Sequence, residues 1–291
     1  MGFAISRLEN LTLVDVGEYG VKAANLGHLA SKYRVPPGLV IGKSVLAHQL
    51  GGIGRDLERS RQSDHSRDEL RRRVFGELPE RLNQEIFESL RGVPAGAQGY
   101  AVRSSSTYED LPGMSFAGQY FSALAVSRTG LIHAIQECWA SQFEARPHAY
   151  ATTRGISLDE ASMAVLVQQM ISPTFSGVCF SNGPTQRSRE RIVIESVPGA
   201  GDLLVSGQAT PWHFELDRNG QIIQRRGPSA RMDRPGDDSL AAIAQIAVEI
   251  EELFGKPQDI EWAIDGVRIY ILQSRPITTS SANVELPGVT R

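Results

Sequence analysis

The chain has 291 residues, 41% of them hydrophobic and 22% charged, with a formal net charge of −3. That length suits one large domain or two lobes with real cores, and the slight negative balance gives no general footprint for DNA, RNA or an anionic membrane. No apolar run reaches the roughly 18 residues of a membrane span, and the N-terminus lacks the charged-then-apolar layout of a signal peptide. Cys138 and Cys179 lie in apolar sequence without metal-like spacing and read as reduced core residues of a cytoplasmic protein.

Residues 3–16 alternate loosely and predict a short strand. Gly17-Glu-Tyr-Gly20 then turns the chain into a helix with Leu26 and Leu29 on one face, which puts Lys22 near its start. Free N–H groups and the helix dipole favour an anion there; a solvated loop lysine is the plainer reading. After a break at Val35-Pro-Pro-Gly38, Leu39-Val-Ile41 reads as a buried strand. Residues 51–73 are polar and predict a mobile or peripheral connection. Leu70, Val74 and Leu78 make a helical stripe, and Pro79 can occupy the first turn of a helix carrying Leu82, Ile86 and Leu90.

The stretch from Tyr100 to Val126 is the centre of the chain. An apolar run delivers Arg103 to a strand end, Ser104-Ser-Ser-Thr107 follows, and Pro112-Gly113 and Phe116-Ala-Gly118 lead into a second strand containing Ser122. A guanidinium beside a hydroxyl-rich, glycine-punctuated loop suits a polyphosphate, through bidentate charge-assisted bonds and loop N–H donors. The alternative is a buried arginine paired with Glu109 or Asp110 under a surface turn.

Leu131, Ile135, Cys138, Trp139 and Phe143 mark an amphipathic helix. The apolar run 163–171 predicts a strand buried on both faces, interrupted by Gln168 and Gln169. A buried amide needs partners, and an adenine edge and a neighbouring backbone are both candidates. Two strands flank the turn at Gly183-Pro184, and Pro198-Gly-Ala-Gly201 is a further glycine-rich turn. Asn219-Gly220 signals a hairpin. Residues 239–254 predict a helix stopped by Gly255. Neither a Walker A lysine motif nor a full dinucleotide fingerprint occurs.

The last element, 260–276, is a hairpin closed at Asp265-Gly266, apolar except for Glu261, Gln273 and Arg275 on its strands. A carboxylate and an amide oxygen suit Mg²⁺, and the arginine suits phosphate. A two-residue turn at Asp265-Gly266 would set Glu261 opposite Tyr270 and Gln273 on the other face. A three-residue connection with a bulge would bring Glu261, Gln273 and Arg275 together. A metal–phosphate site predicts the bulged register.

In order, these blocks resemble the N-terminal nucleotide-binding domain of the phosphoenolpyruvate synthase and pyruvate phosphate dikinase family, which includes rifampicin phosphotransferases. The most specific are Ala101-Val-Arg-Ser-Ser-Ser-Thr-Tyr-Glu-Asp-Leu-Pro-Gly113, Ser115-Phe-Ala-Gly-Gln-Tyr120, Asp259-Ile-Glu-Trp-Ala263 and Leu272-Gln-Ser-Arg-Pro-Ile277. The resemblance implies an α+β, ATP-grasp-like fold with two lobes of mostly antiparallel sheet, residues 1–171 and 172–279, and a tail at 280–291. It implies ATP and Mg²⁺ as cofactors. Lys22 and Arg103 would meet the phosphates, with Gly118 and Ser122 in the loop covering them. Gln168, or less readily Gln169, would lie near the nucleotide, Glu261 and Gln273 would hold Mg²⁺, and Arg275 would clamp a terminal phosphate. Lys22, Arg103 and Arg275 would be the catalytic cations of an in-line phosphoryl transfer.

In that family ATP yields AMP and phosphate, and the β-phosphoryl group passes to a histidine on a swivelling domain that serves pyruvate or another acceptor. The departures are Val21 for a glycine, Asp202 for a glutamate, Trp212 for an aspartate and Ser122 for a threonine. None of the six histidines stands in a Thr-x-Ser-His setting. The histidine and acceptor domains are therefore expected on another chain or in a longer enzyme. The alternatives are a free-standing ATP-dependent small-molecule kinase or ligase, and a catalytically silent regulatory homologue.

Overall fold

A computed structural model describes residues 2–51, 64–107, 120–147, 163–183, 190–201, 210–228 and 233–277. They form two compact units, the first running up to Ser172 and the second from Pro173 onward. Each unit is a mainly antiparallel sheet with helices, so the α+β class expected from the sequence is the one adopted.

The first unit contains strands β1 (Ile5–Arg7), β2 (Gly38–Ile41), β3 (Tyr100–Ser106), β4 (Ser122–Val126) and β5 (Met163–Gln169), ordered β1-β2-β5-β3-β4. Its helices are α1 (Val16–Ala30), α2 (Lys43–Leu50), α3 (Asp64–Val74), α4 (Glu80–Ser89) and α5 (Leu131–Ser141). One face of the sheet, with Leu39, Ile41, Val102, Val165 and Val167, closes a core with apolar residues of α2 to α5. The other face meets α1, whose Ala23, Ala24, Leu26 and Leu29 are buried. Strand β5 is buried on both sides because helices cover both faces.

Two expectations for this unit need correction. The polar stretch 51–73 is helical from Asp64, because Leu70 and Val74 are buried and the charged positions between them form a solvated side. Helix α1 begins earlier than expected, at Val16, and breaks at Gly20 (φ 77°, ψ 165°) before continuing past Lys22.

The second unit contains β6 (Phe175–Phe180), β7 (Ile192–Pro198), β8 (Trp212–Leu216), β9 (Ile222–Arg226), β10 (Gln258–Asp265) and β11 (Arg268–Pro276), ordered β11-β10-β6-β7-β8-β9. Helix α6 (Asp237–Phe254) packs on β6, β7 and β10 and ends at Gly255 in the left-handed conformation. Alternation divides the sheet sharply. Ile260, Trp262, Cys179, Ile194 and Phe214 are buried on the helix side, while the opposite face carries Asp259, Glu261, Glu195, His213 and Glu215.

Burial pushes the Cys138 thiol up to about 12 and the Cys179 thiol upward as well, so both are inert protonated core residues. Among the described residues, no helix is long and apolar enough to cross a membrane.

Candidate nucleotide-binding site

The first unit gathers several predicted residues on the α1 face of its sheet. Arg103 on β3 pairs with Leu166 of β5 and with Ser122 of β4, so Arg103 and Ser122 are direct neighbours on one face. Gln168 pairs with Ala101 and stands diagonally from Arg103 on that same face, whereas its neighbour Gln169 points to the other. Ser105, two residues beyond Arg103, bonds α1, which identifies the shared face as the one α1 covers. Lys22, on α1 just past Gly20, extends its ammonium to the Ser104 carbonyl at 2.9 Å.

Gln168 is buried, and its side-chain N–H donates to the Pro36 carbonyl at 3.0 Å. Of the two partners open to it from the sequence, the neighbouring backbone is the one present here. Gly118, Glu109, Asp110 and Asp202 lie outside the described residues, as does the tail at 280–291.

In the second unit the final hairpin differs from both expected registers. Its turn is one residue further on: Asp265 pairs with Arg268, and Gly266 (φ 61°) and Val267 form the loop. The reason is local. Val267 keeps a negative φ, so the glycine occupies the first central position, where a primed turn needs positive φ. That register alone would set Glu261 opposite Leu272. A bulge in mid-hairpin, between Glu261 and Trp262, leaves Leu272 unpaired and sets Glu261 opposite Gln273. Asp259 then faces Arg275. The bulge expected at the turn therefore lies in the strand, and Glu261, Gln273 and Arg275 share one face.

Asp259, Glu195, His213 and Glu215 complete this face and were given no role from the sequence. Asp259 accepts from Arg275 Nε and Nη2 at 2.9 and 2.6 Å through Oδ2, which fixes the guanidinium plane. Burial raises the Asp259 carboxyl above its ordinary range despite the arginine, and its Oδ1 is buried with no hydrogen-bond partner among the described residues. Glu195 lies in line with Glu261 across Val178 of β6. Beside it His213 reaches Glu195 at 3.5 Å and Glu215 at 3.7 Å, and Arg191 pairs with Glu215. The hydrogen bond to Glu195 raises the His213 pKa against the opposing effect of burial. The signal in the sequence was the i, i+2 spacing of Asp259 with Glu261 and of His213 with Glu215 inside apolar strands, which places each pair on one face.

Among the described residues no group of three or more His, Cys, Asp or Glu side chains has the arrangement of a metal cage. One carboxylate with an amide oxygen opposite is a hard, oxygen-only donor set that leaves coordination positions to other ligands. That is the manner in which Mg²⁺ is held together with phosphates.

One antiparallel α+β unit thus presents cations and hydroxyls on a sheet face, and the other presents carboxylates, an amide and an oriented arginine. Residues 16–234 and 222–288 match the family described as the pyruvate phosphate dikinase AMP/ATP-binding domain, and the chain belongs to that family. It is 34% identical to a probable phosphoenolpyruvate synthase of Archaeoglobus fulgidus over 91% of this chain and 40% of that protein. It is 32% identical to a rifampicin phosphotransferase of a Streptomyces species over 96% of this chain and 36% of that protein. The chain thus spans about two fifths of the length of these curated relatives. Among solved structures it aligns with the macrocyclase MdnC of Microcystis aeruginosa at a TM-score of 0.31 and 10% identity, over 76% of this chain and 54% of that one.

Proposed function

We propose that the chain is the ATP- and Mg²⁺-binding module of a phosphotransferase, residues 1–171 and 172–279 being its two lobes. Lys22 and Arg103 bind the phosphates, with Ser122 and the segment around Gly118 covering them and Gln168 near the base. Glu261 and Gln273 would hold Mg²⁺, which would supply charge neutralisation to the phosphates, and Arg275 clamps a terminal phosphate. The observation that carries this reading is the bulge that turns Gln273 to face Glu261 and leaves Arg275, braced by Asp259, beside them. A bulge is a local cost to a ladder, and its product here is a set of oxygen donors and a phosphate-type cation on one face.

Phosphoryl transfer asks little covalent chemistry of a protein; positioning and charge stabilisation supply the rate. The two bonds from Arg275 to Asp259 Oδ2 restrict the guanidinium to one plane and so favour in-line approach to a phosphate. Two relatives are named for phosphoenolpyruvate synthesis and rifampicin phosphorylation. By analogy the phosphoryl group passes first to a histidine on a domain outside this sequence and then to pyruvate or another small molecule.

The test is incubation with ATP and Mg²⁺, with and without histidine-domain partners, resolving AMP from ADP. Partner-dependent AMP supports the proposal. ADP formed with a small acceptor would establish a free-standing kinase, and failure to bind ATP would leave a silent homologue.

A further inference from the structure

The first unit joins its glycine turn to the strand bearing Arg103 at consecutive residues. Ser104 gives its carbonyl to Lys22. Ser105, fully buried, donates its hydroxyl to the Tyr19 carbonyl at 2.8 Å and accepts from the Ala23 N–H at 3.0 Å. One side chain therefore satisfies a backbone group on each side of the break at Gly20. The Ala23 N–H belongs to the first turn after that break, where helical donors have no partner within the helix. A hydroxyl 82 residues away in sequence does what an N-cap side chain does locally. A Cβ on Gly20 would run into the Ser105 carbonyl and hydroxyl, so only glycine lets the two backbones come this close.

We propose that Ser105 is a positioning residue for the anion site, its hydroxyl fixing where Lys22 and Arg103 stand relative to one another on the α1 face of the sheet. Lys22 is adjacent to the backbone N–H that Ser105 holds, and Arg103 lies two residues before Ser105 on its own face. The side chain of Lys22 is long and flexible, so where its ammonium can reach depends on the backbone beneath it as well as on its bond to the Ser104 carbonyl. The inference rests on the nucleotide reading of the first unit given above, and assigns to a group with no charge a share of the affinity for a charged ligand.

The experiment uses the 291-residue chain and measures the Kd for MgATP by calorimetry, well below the melting temperature of each variant. The control for simple loss of buried hydrogen bonds is Gln136→Ala. Gln136 donates to the Val74 and Gly76 carbonyls and touches neither α1 nor β3's anion-site residues in those bonds. Ser105→Ala is expected to raise Kd about tenfold, with Gln136→Ala within about twofold of the parent although both lower stability. In the double variant Ser105→Ala/Lys22→Met, affinity should be no weaker than in Lys22→Met alone, because the serine acts through the lysine's placement.

Equal Kd values for Ser105→Ala and Gln136→Ala, or additive effects in the double variant, would overturn the proposal. Wild-type affinity in both Lys22→Met and Arg103→Met would instead overturn the nucleotide reading beneath it. Should Ser105→Ala fail to fold, Ser105→Cys keeps bulk and a weaker donor. It is expected to give a smaller rise in Kd, and an unchanged Kd refutes the proposal.

Discussion

Substituting alanine for Gly20 tests how closely the glycine turn and β3 are locked. Gly20 has φ 77° and ψ 165°, and Gly51, at the end of α2 in the same unit, has φ 67° and ψ −167°. Both sit in a region almost closed to other residues, where occupancy by alanine costs about 1–3 kcal/mol. Their surroundings differ completely. A Cβ on Gly51 meets nothing within 4 Å, whereas one on Gly20 collides with Ser105. Forcing the backbones apart adds about 1–3 kcal/mol of overpacking, and loosening the two Ser105 bonds adds about 1 kcal/mol each. Gly51→Ala should therefore lose about 1–3 kcal/mol and Gly20→Ala about 4–8 kcal/mol, a large part of the stability of an ordinary domain. Urea unfolding followed by far-ultraviolet circular dichroism reads the difference directly, since the backbone strain is nearly common to both. Equal losses would mean that the approach of Ser105 contributes nothing, and the interlock would have to be abandoned.

Glu261→Gln should raise the Mg²⁺ concentration needed for half-maximal ATP binding by about tenfold or more, by removing the one carboxylate of the donor set. Titration with Mg²⁺ at fixed ATP checks it; an unshifted midpoint would place the metal elsewhere. His213 has a pKa raised above 6.5 in the folded chain, chiefly by its bond to Glu195. Its stabilising contribution is thus complete below the unfolded value and lost as pH rises through the folded one. The melting temperature should fall as pH rises through that interval, and His213→Asn should flatten the slope; an identical slope in the variant would exclude His213 as its source. Ala125 holds φ 56° at the bulge between β3 and β4. Ala125→Gly relieves left-handed strain at some entropic cost, so a net gain of about 0.5–1 kcal/mol is expected in chemical unfolding, and a loss would show that the methyl group packs usefully.

Much of the architecture could be read from local pattern. The buried runs at Leu39–Ile41 and 163–169, the spacing of Leu131, Ile135 and Trp139, and Gly255 as a helix stop each follow from side-chain period and backbone preference over a few residues. The family blocks were equally legible, because residue types such as Arg103 and Glu261 carry their chemistry in their identity. Local pattern misled where burial depends on distant partners. Residues 64–69 read as connection, yet they belong to the helix whose Leu70 and Val74, legible as a stripe, meet a core assembled from α2, α4 and α5.

Residue identity and spacing by themselves determined which groups could handle a phosphate and which strands bear them. Only the tertiary structure decided which of those groups face one another. A sheet face is a matter of register, and one bulged residue, Leu272, moves Gln273 from one side to the other. Likewise the partners of Ser105 and Gln168, the Tyr19 carbonyl, the Ala23 N–H and the Pro36 carbonyl, are brought close by packing between segments far apart in the chain. No preference encoded within a few residues can specify such a meeting.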